Sequence, residues 1–181
     1  MNLLTIMAIA ALAGTPQPKS IRPALKIDHA TMTKVADEVD GAFRVLWPEY
    51  PCESVGTVQF LYIKGFGAIF SGNLNLAPGL NVTPFHPTIS KDDVTRTKSK
   101  KLERMPALRA AMQDILIREA GKLRDVPDNE EVALGVSLFY WHWEDRSGLP
   151  DQVVMHAPKK ALLAAAQDKS SLASVLQVDE F

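Results

Sequence analysis

The sequence predicts an α+β domain: a four-stranded antiparallel or mixed sheet with helices packed on it, in the order helix, hairpin, helix, hairpin, helix. Three observations carry that expectation. Two long segments space their apolar residues at three and four. Paired shorter segments alternate with period two on either side of glycine-bearing turns. A helical segment separates the two hairpins, which favours an antiparallel or mixed sheet over a fully parallel one.

The first helix is expected in "IDHATMTKVADEVDGAFRVLW", where Met32, Val35, Val39, Phe43 and Leu46 fall on one face and Pro48 and Pro51 end it. "TVQFLYIKGFGAIFSGNLNL" follows as a hairpin. Val58, Phe60 and Tyr62 share a face of its first strand, and Phe70, Leu74 and Leu76 a face of its second. Gly65 and Gly67 suit the tight turn. A phosphate-cradling loop would need a helix directly after them, and none follows. Residues 77–90, with Pro78, Pro84 and Pro87, read as a loop that carries the sequon Asn81-Val82-Thr83, itself followed by Pro84.

Ser90 and Asp93 form a variant capping box that starts the second helical region, which Pro106 either interrupts or restarts. Beyond it Leu108, Met112, Ile115, Leu116 and Leu123 make a core-facing stripe. "EVALGVSLFYWHW" is the expected third strand. Val132, Leu134, Val136 and Leu138 point one way and Ala133, Gly135 and Ser137 the other, with a helix expected over the small face. "RSGLP" turns the chain into a fourth strand, "DQVVMHA", and Pro158 opens a last helix in "PKKALLAAAQ".

The 181 residues, 46% apolar and 23% charged, describe one soluble globular domain. With 20 basic and 21 acidic side chains, net charge singles out neither nucleic acid nor membrane as partner. Residues 1–13 read as a signal peptide: apolar from Leu3 to Ala13, too short to span a bilayer, and ending in the small-x-small triplet Ala11-Leu12-Ala13. Residues 14–27 form an N-terminal extension and 28–181 the α+β domain, with no transmembrane segment in the mature chain. Cys52 is the single cysteine, so the chain holds no internal disulfide. Its place in "WPEYPCE" reads as a loop. The expected location is periplasmic or secreted.

"FLYIKGFGAIF", the Lys/Arg-rich helix after it, the aromatic strand and the late Lys-Lys-x-Leu-Leu segment together resemble a group of exported bacterial proteins of unknown function, whose hairpins share a Tyr-Ile-x-Gly-aromatic-Gly turn. The resemblance implies export and brings no activity, cofactor or site residue with it. The run "FYWHWED" departs from that group.

Chemistry is expected, if anywhere, on the second hairpin. Centred on Leu149, it would set His142 opposite His156, with Glu144 on the same face. Two imidazoles and a carboxylate could hold a divalent metal or run acid–base chemistry, as in a small metal-dependent or hydrolase-like enzyme. No HExxH, G-x-S-x-G, Walker loop or Cys-x-x-Cys is present, and no cofactor is implied.

Binding is the favoured expectation. Trp141 and Trp143, with Phe139, project away from His142 as a core cap or an exposed anchor for a glycan, peptide or protein. "RTKSKKLER" concentrates Arg96, Lys98, Lys100, Lys101 and Arg104, either as a solvated face or as a surface for anionic lipid headgroups, nucleic acid or an acidic protein. Without interleaved aromatics to stack bases, nucleic acid is the least plausible partner.

Overall fold

The computed structural model describes residues 27–79, 88–168, 172 and 174–181. The expected signal peptide, most of the extension and the sequon lie outside them. Among the described residues three helices accompany six strands that form one mixed sheet: α1 (His29–Arg44), β1 (Glu53–Ser54), β2 (Gln59–Ile63), β3 (Gly67–Asn75), α2 (Lys91–Ala120), β4 (Glu131–Leu138), β5 (Gln152–Pro158), α3 (Lys159–Ala165) and β6 (Gln177–Glu180). The class is α+β, with two strands more than expected.

Asp28 caps α1, accepting from the backbone N–H groups of Ala30 and Thr31 at 3.2 Å each and from the Thr31 hydroxyl at 2.5 Å. Met32, Val35, Ala36, Val39 and Phe43 are its buried face, which is the expected stripe with Ala36 added and without Leu46. The helix stops at Arg44, before the prolines, and the thiol of Cys52 donates to the carbonyl of Phe43 at 3.1 Å. Cys52 lies on a loop as expected, but that loop is packed into the core. Burial pushes its thiol pKa up, as befits an unreactive cysteine.

β2 and β3 make the expected hairpin, Gln59 pairing with Ser71 and Ile63 with Gly67. Gly65 has φ +87° in the turn. Gly67 is required for a second reason: a Cβ there would lie 1.9 Å from the Glu131 carbonyl oxygen of the adjoining strand. That strand is β4, which runs parallel to β3 from Gly67↔Glu131 to Leu74↔Leu138. Parallel neighbours need a long crossover, and α2 supplies it. β5 returns antiparallel to β4, and β6 antiparallel to β5. On the far side, β3 pairs with β2 along its first half and with β1 at its end.

Ser90 and Asp93 form the capping box of α2, each side chain bonded to the other's backbone N–H. Pro106 neither breaks the helix nor starts a new one: α2 runs through it for 30 residues. The proline forfeits one backbone bond, and the helix continues because both flanking halves are anchored to the rest of the fold.

The core lies between the helices and one face of the sheet, where Phe70, Leu74, Val132, Leu134, Val136, Val153 and Met155 meet Leu108, Met112, Ile115 and Leu116. The helices therefore cover the large face of β4, not the small one. Large side chains fill the helix–sheet gap and lose more apolar surface there, which decides the side. Ala133 is buried but stands outside that core, shaded by its neighbours on the opposite face. Among the described residues no helix lies on that face, where Leu61 is 55% exposed.

Candidate functional site

The basic half of α2 meets the aromatic run beyond β4, and the two resolve each other. β4 ends at Leu138, so the expected strand to Trp143 is cut short, and residues 139–151 leave the sheet as a long connection. Lys101 draws them out. Its ammonium pairs with Glu144 Oε2 at 2.5 Å and donates to the Phe139 carbonyl at 2.8 Å. It also lies 4.4 Å from the centroid of the Tyr140 ring. The Lys101 and Glu144 side chains are 2% and 3% exposed. Burial lowers the Lys101 pKa, and Glu144 opposes that shift.

The other Glu144 oxygen accepts the Trp141 backbone N–H at 3.1 Å, and the Tyr140 hydroxyl donates to the Pro150 carbonyl at 2.7 Å. One turn earlier, Lys98 pairs with Asp145 at 2.7 Å and reaches the Ser147 hydroxyl. The Lys98 ammonium and the Ser147 backbone and hydroxyl hold the Asp145 carboxyl far below the usual carboxylate range. Lys98 and Lys101 thus fasten both arms of the loop.

The expected cluster of His142, Glu144 and His156 is not assembled. The register of β4 and β5 sets His156 opposite Ala133, with Ser137 opposite Gln152 at the mouth of the connection. His142 is exposed in a turn of that connection, and Glu144 is committed to Lys101. The physical reason is the missing tight turn: a buried ammonium satisfied by Phe139 and Glu144 removes those residues from the ladder. His156 finds a different carboxylate, with Nδ1 3.1 Å from Glu131 Oε2 and the ring 6.5 Å from Phe66. Among the described residues no group of three or more His, Cys, Asp and Glu is placed to hold a metal ion.

Trp141 and Trp143 are both half-buried, and Trp141 packs edge-on against Phe139 with ring centroids 5.0 Å apart. Neither joins the core cluster, while Tyr140 packs against it.

The other side of α2 has a different character. Arg104 is 7% exposed, and its guanidinium donates to the carbonyls of Tyr50, at 2.6 Å, and Leu76, the residue after β3. It stacks 4.8 Å from the centroid of the Trp47 ring. Lys100, one turn before it, lies 4.3 Å from the centroid of Tyr50. Arg96, a further turn back, pairs with Asp93 at 2.7 Å. Beside this stripe opens a cavity of about 450 Å³ lined by Leu46, Trp47, Pro48, Glu49, Tyr50 and Arg104. A smaller one, about 160 Å³, is lined by residues 77–79 with Asp93, Arg96, Thr97 and Lys100.

Trp47 and Tyr50 were not singled out by the sequence. Their signal was available in "WPEYP", two aromatics interleaved with two prolines and an acid, and in the four-residue spacing of Arg96, Lys100 and Arg104. No helix among the described residues is long and apolar enough to cross a membrane. No family model, no curated protein and no solved structure matches the chain.

Proposed function

We propose that the chain is an exported, non-enzymatic domain that binds a ligand or envelope component at the carboxyl end of its parallel strand pair. One observation carries the reading: the cavity of about 450 Å³ is walled by two aromatic side chains and a guanidinium. That volume falls within the span of small-molecule pockets, which combine apolar walls with a few placed polar groups. Its position agrees with the tendency of ligands to sit beyond the carboxyl ends of parallel strands. Arg104 joins the cavity wall to Leu76, directly after β3. Export rests on the apolar N-terminal run ending in Ala11-Leu12-Ala13 and on the resemblance of the hairpin to exported bacterial proteins.

The three tryptophans at positions 47, 141 and 143 test the reading, because their indole N–H signals can be assigned with single Trp→Phe variants. Titration with a library of small aromatic compounds should move the Trp47 signal first. Movement confined to Trp141 and Trp143 would transfer the binding surface to the 139–151 loop. Export has its own check in N-terminal sequencing of the mature protein: a start at Gly14 is expected, and intact Met1 in the cytoplasm would contradict it.

A further inference from the structure

We propose that this cavity selects a small molecule carrying an oxyanion, a carboxylate or phosphate group held by Arg104 of the cavity wall and by Lys100, which lines the smaller cavity and reaches this one over the ring of Tyr50, with the ligand's body against Trp47 and Tyr50. The inference rests on the cavity being a binding site and names what it selects.

The argument begins with how α2 disposes of its cations. Lys98 and Lys101 each meet a carboxylate within ion-pair distance, Asp145 and Glu144. Lys100 and Arg104 do not. Among the described residues, Lys100 has the face of Tyr50 and Arg104 has main-chain carbonyls, and neither forms an ion pair. The two are four residues apart on one helix, the spacing at which like charges destabilise each other. Burial and then the Arg104 charge lower the Lys100 pKa, with Glu103 opposing. Burial lowers that of Arg104 as well.

Structural need does not explain Lys100. An apolar side chain could pack on Tyr50, and the loop is fastened by the other two lysines. An oxyanion would give both cations a counter-charge and pair with donors already in place. Glu49, which also lines the cavity, is solvent-exposed, so water screens its repulsion. The half-buried Trp47 and Tyr50, a residue 64% exposed, offer planar apolar surface for the remainder of the ligand.

Benzoate, phenyl phosphate and the neutral benzamide test this at low ionic strength, read by the Trp47 indole signal. An anion should bind at least about tenfold more tightly than benzamide, as a charge-assisted hydrogen bond would give. The tighter of the two anions identifies the oxyanion. Lys100→Met should remove that preference without lowering the melting temperature, and Lys100→Arg should keep it. Equal binding of benzamide and both anions at Trp47 would overturn the proposal while leaving the cavity as a binding site, as would full anion preference in Lys100→Met. Silence of Trp47 towards all three compounds would overturn both.

Discussion

The two halves of α2 are held by different chemistry, although the second also buries Glu119 near its end. From Ala107 to Ala120 the helix lays Leu108, Met112, Ile115 and Leu116 on the sheet, an apolar stripe at three- and four-residue spacing. From Lys91 to Met105 its buried residues include Lys101 and Arg104, both charged. The Ala107–Ala120 half is held by surface removed from water. The Lys91–Met105 half is held by satisfaction: each buried cation ends on named oxygens, and it carries loops with it. Lys101 holds 139–144, while Arg104 holds Tyr50 and Leu76. Helix burial is therefore no guide to hydrophobicity when the loops around a helix bring their own acceptors.

Removing the Lys101 side chain should have the largest effect. Lys101→Ala strands Glu144 in a nearly water-free position, and losing one partner of a buried pair costs about 3–5 kcal/mol. Urea denaturation measures the loss, and faster hydrogen exchange across 139–151 localises it. Leu116→Ala in the other half should cost about 3 kcal/mol through a cavity, yet leave exchange in that loop slow. A loop loosened equally by both substitutions would erase the distinction between the halves.

Cys52→Ser comes next. Cys52 is 6% exposed and lies on the loop whose Tyr50 carbonyl Arg104 holds, so the more polar hydroxyl should cost about 1–2 kcal/mol while keeping its bond to Phe43. No measurable loss would mean that the segment is not packed as described.

Alkaline titration gives a smaller effect that again separates two regions. Burial pushes the pKa of Tyr140 up to about 12, with the charges of Asp151 and Glu144 adding to it. Burial and the hydrogen bond to Glu130 push Tyr62, at the hairpin turn, up to about 12. Both groups are raised above the ordinary value of about 10, so their contribution is complete below that pH and is lost as pH rises through about 12. Tyr140→Phe and Tyr62→Phe should each remove part of that alkaline decline. If neither variant changes it, the two phenols are not held protonated by their surroundings.

What the sequence made legible follows the same division. The stripe of α1, the turn at Gly65 and Gly67, the Ser90–Asp93 cap and the apolar stripe of α2 depend on local spacing and appear as read, except that Leu46 falls beyond the end of α1 and Leu123 beyond the end of α2. β1 has two residues, and β6 is exposed throughout, so neither has a hydrophobic period to detect. A mixed sheet was among the expectations, but that β3 and β4 are its parallel pair was not legible, because alternation fixes faces but not which neighbour a strand chooses. The candidate site was misplaced for a non-local reason. A lysine 43 positions before Glu144 takes that carboxylate, and no window around "FYWHWED" contains it. The basic run was visible, but its division into a neutralised pair and an uncompensated pair depends on loops that fold against it.

A double-mutant cycle on Lys101 and Glu144 tests most directly that a buried ion pair, and not apolar packing, joins the first half of α2 to the 139–151 loop. Lys101→Met and Glu144→Gln should each be strongly destabilising alone. The double variant should recover at least about 2 kcal/mol relative to their sum, because residues in contact are coupled. Additivity within about 0.5 kcal/mol, the behaviour of independent sites, would contradict the account.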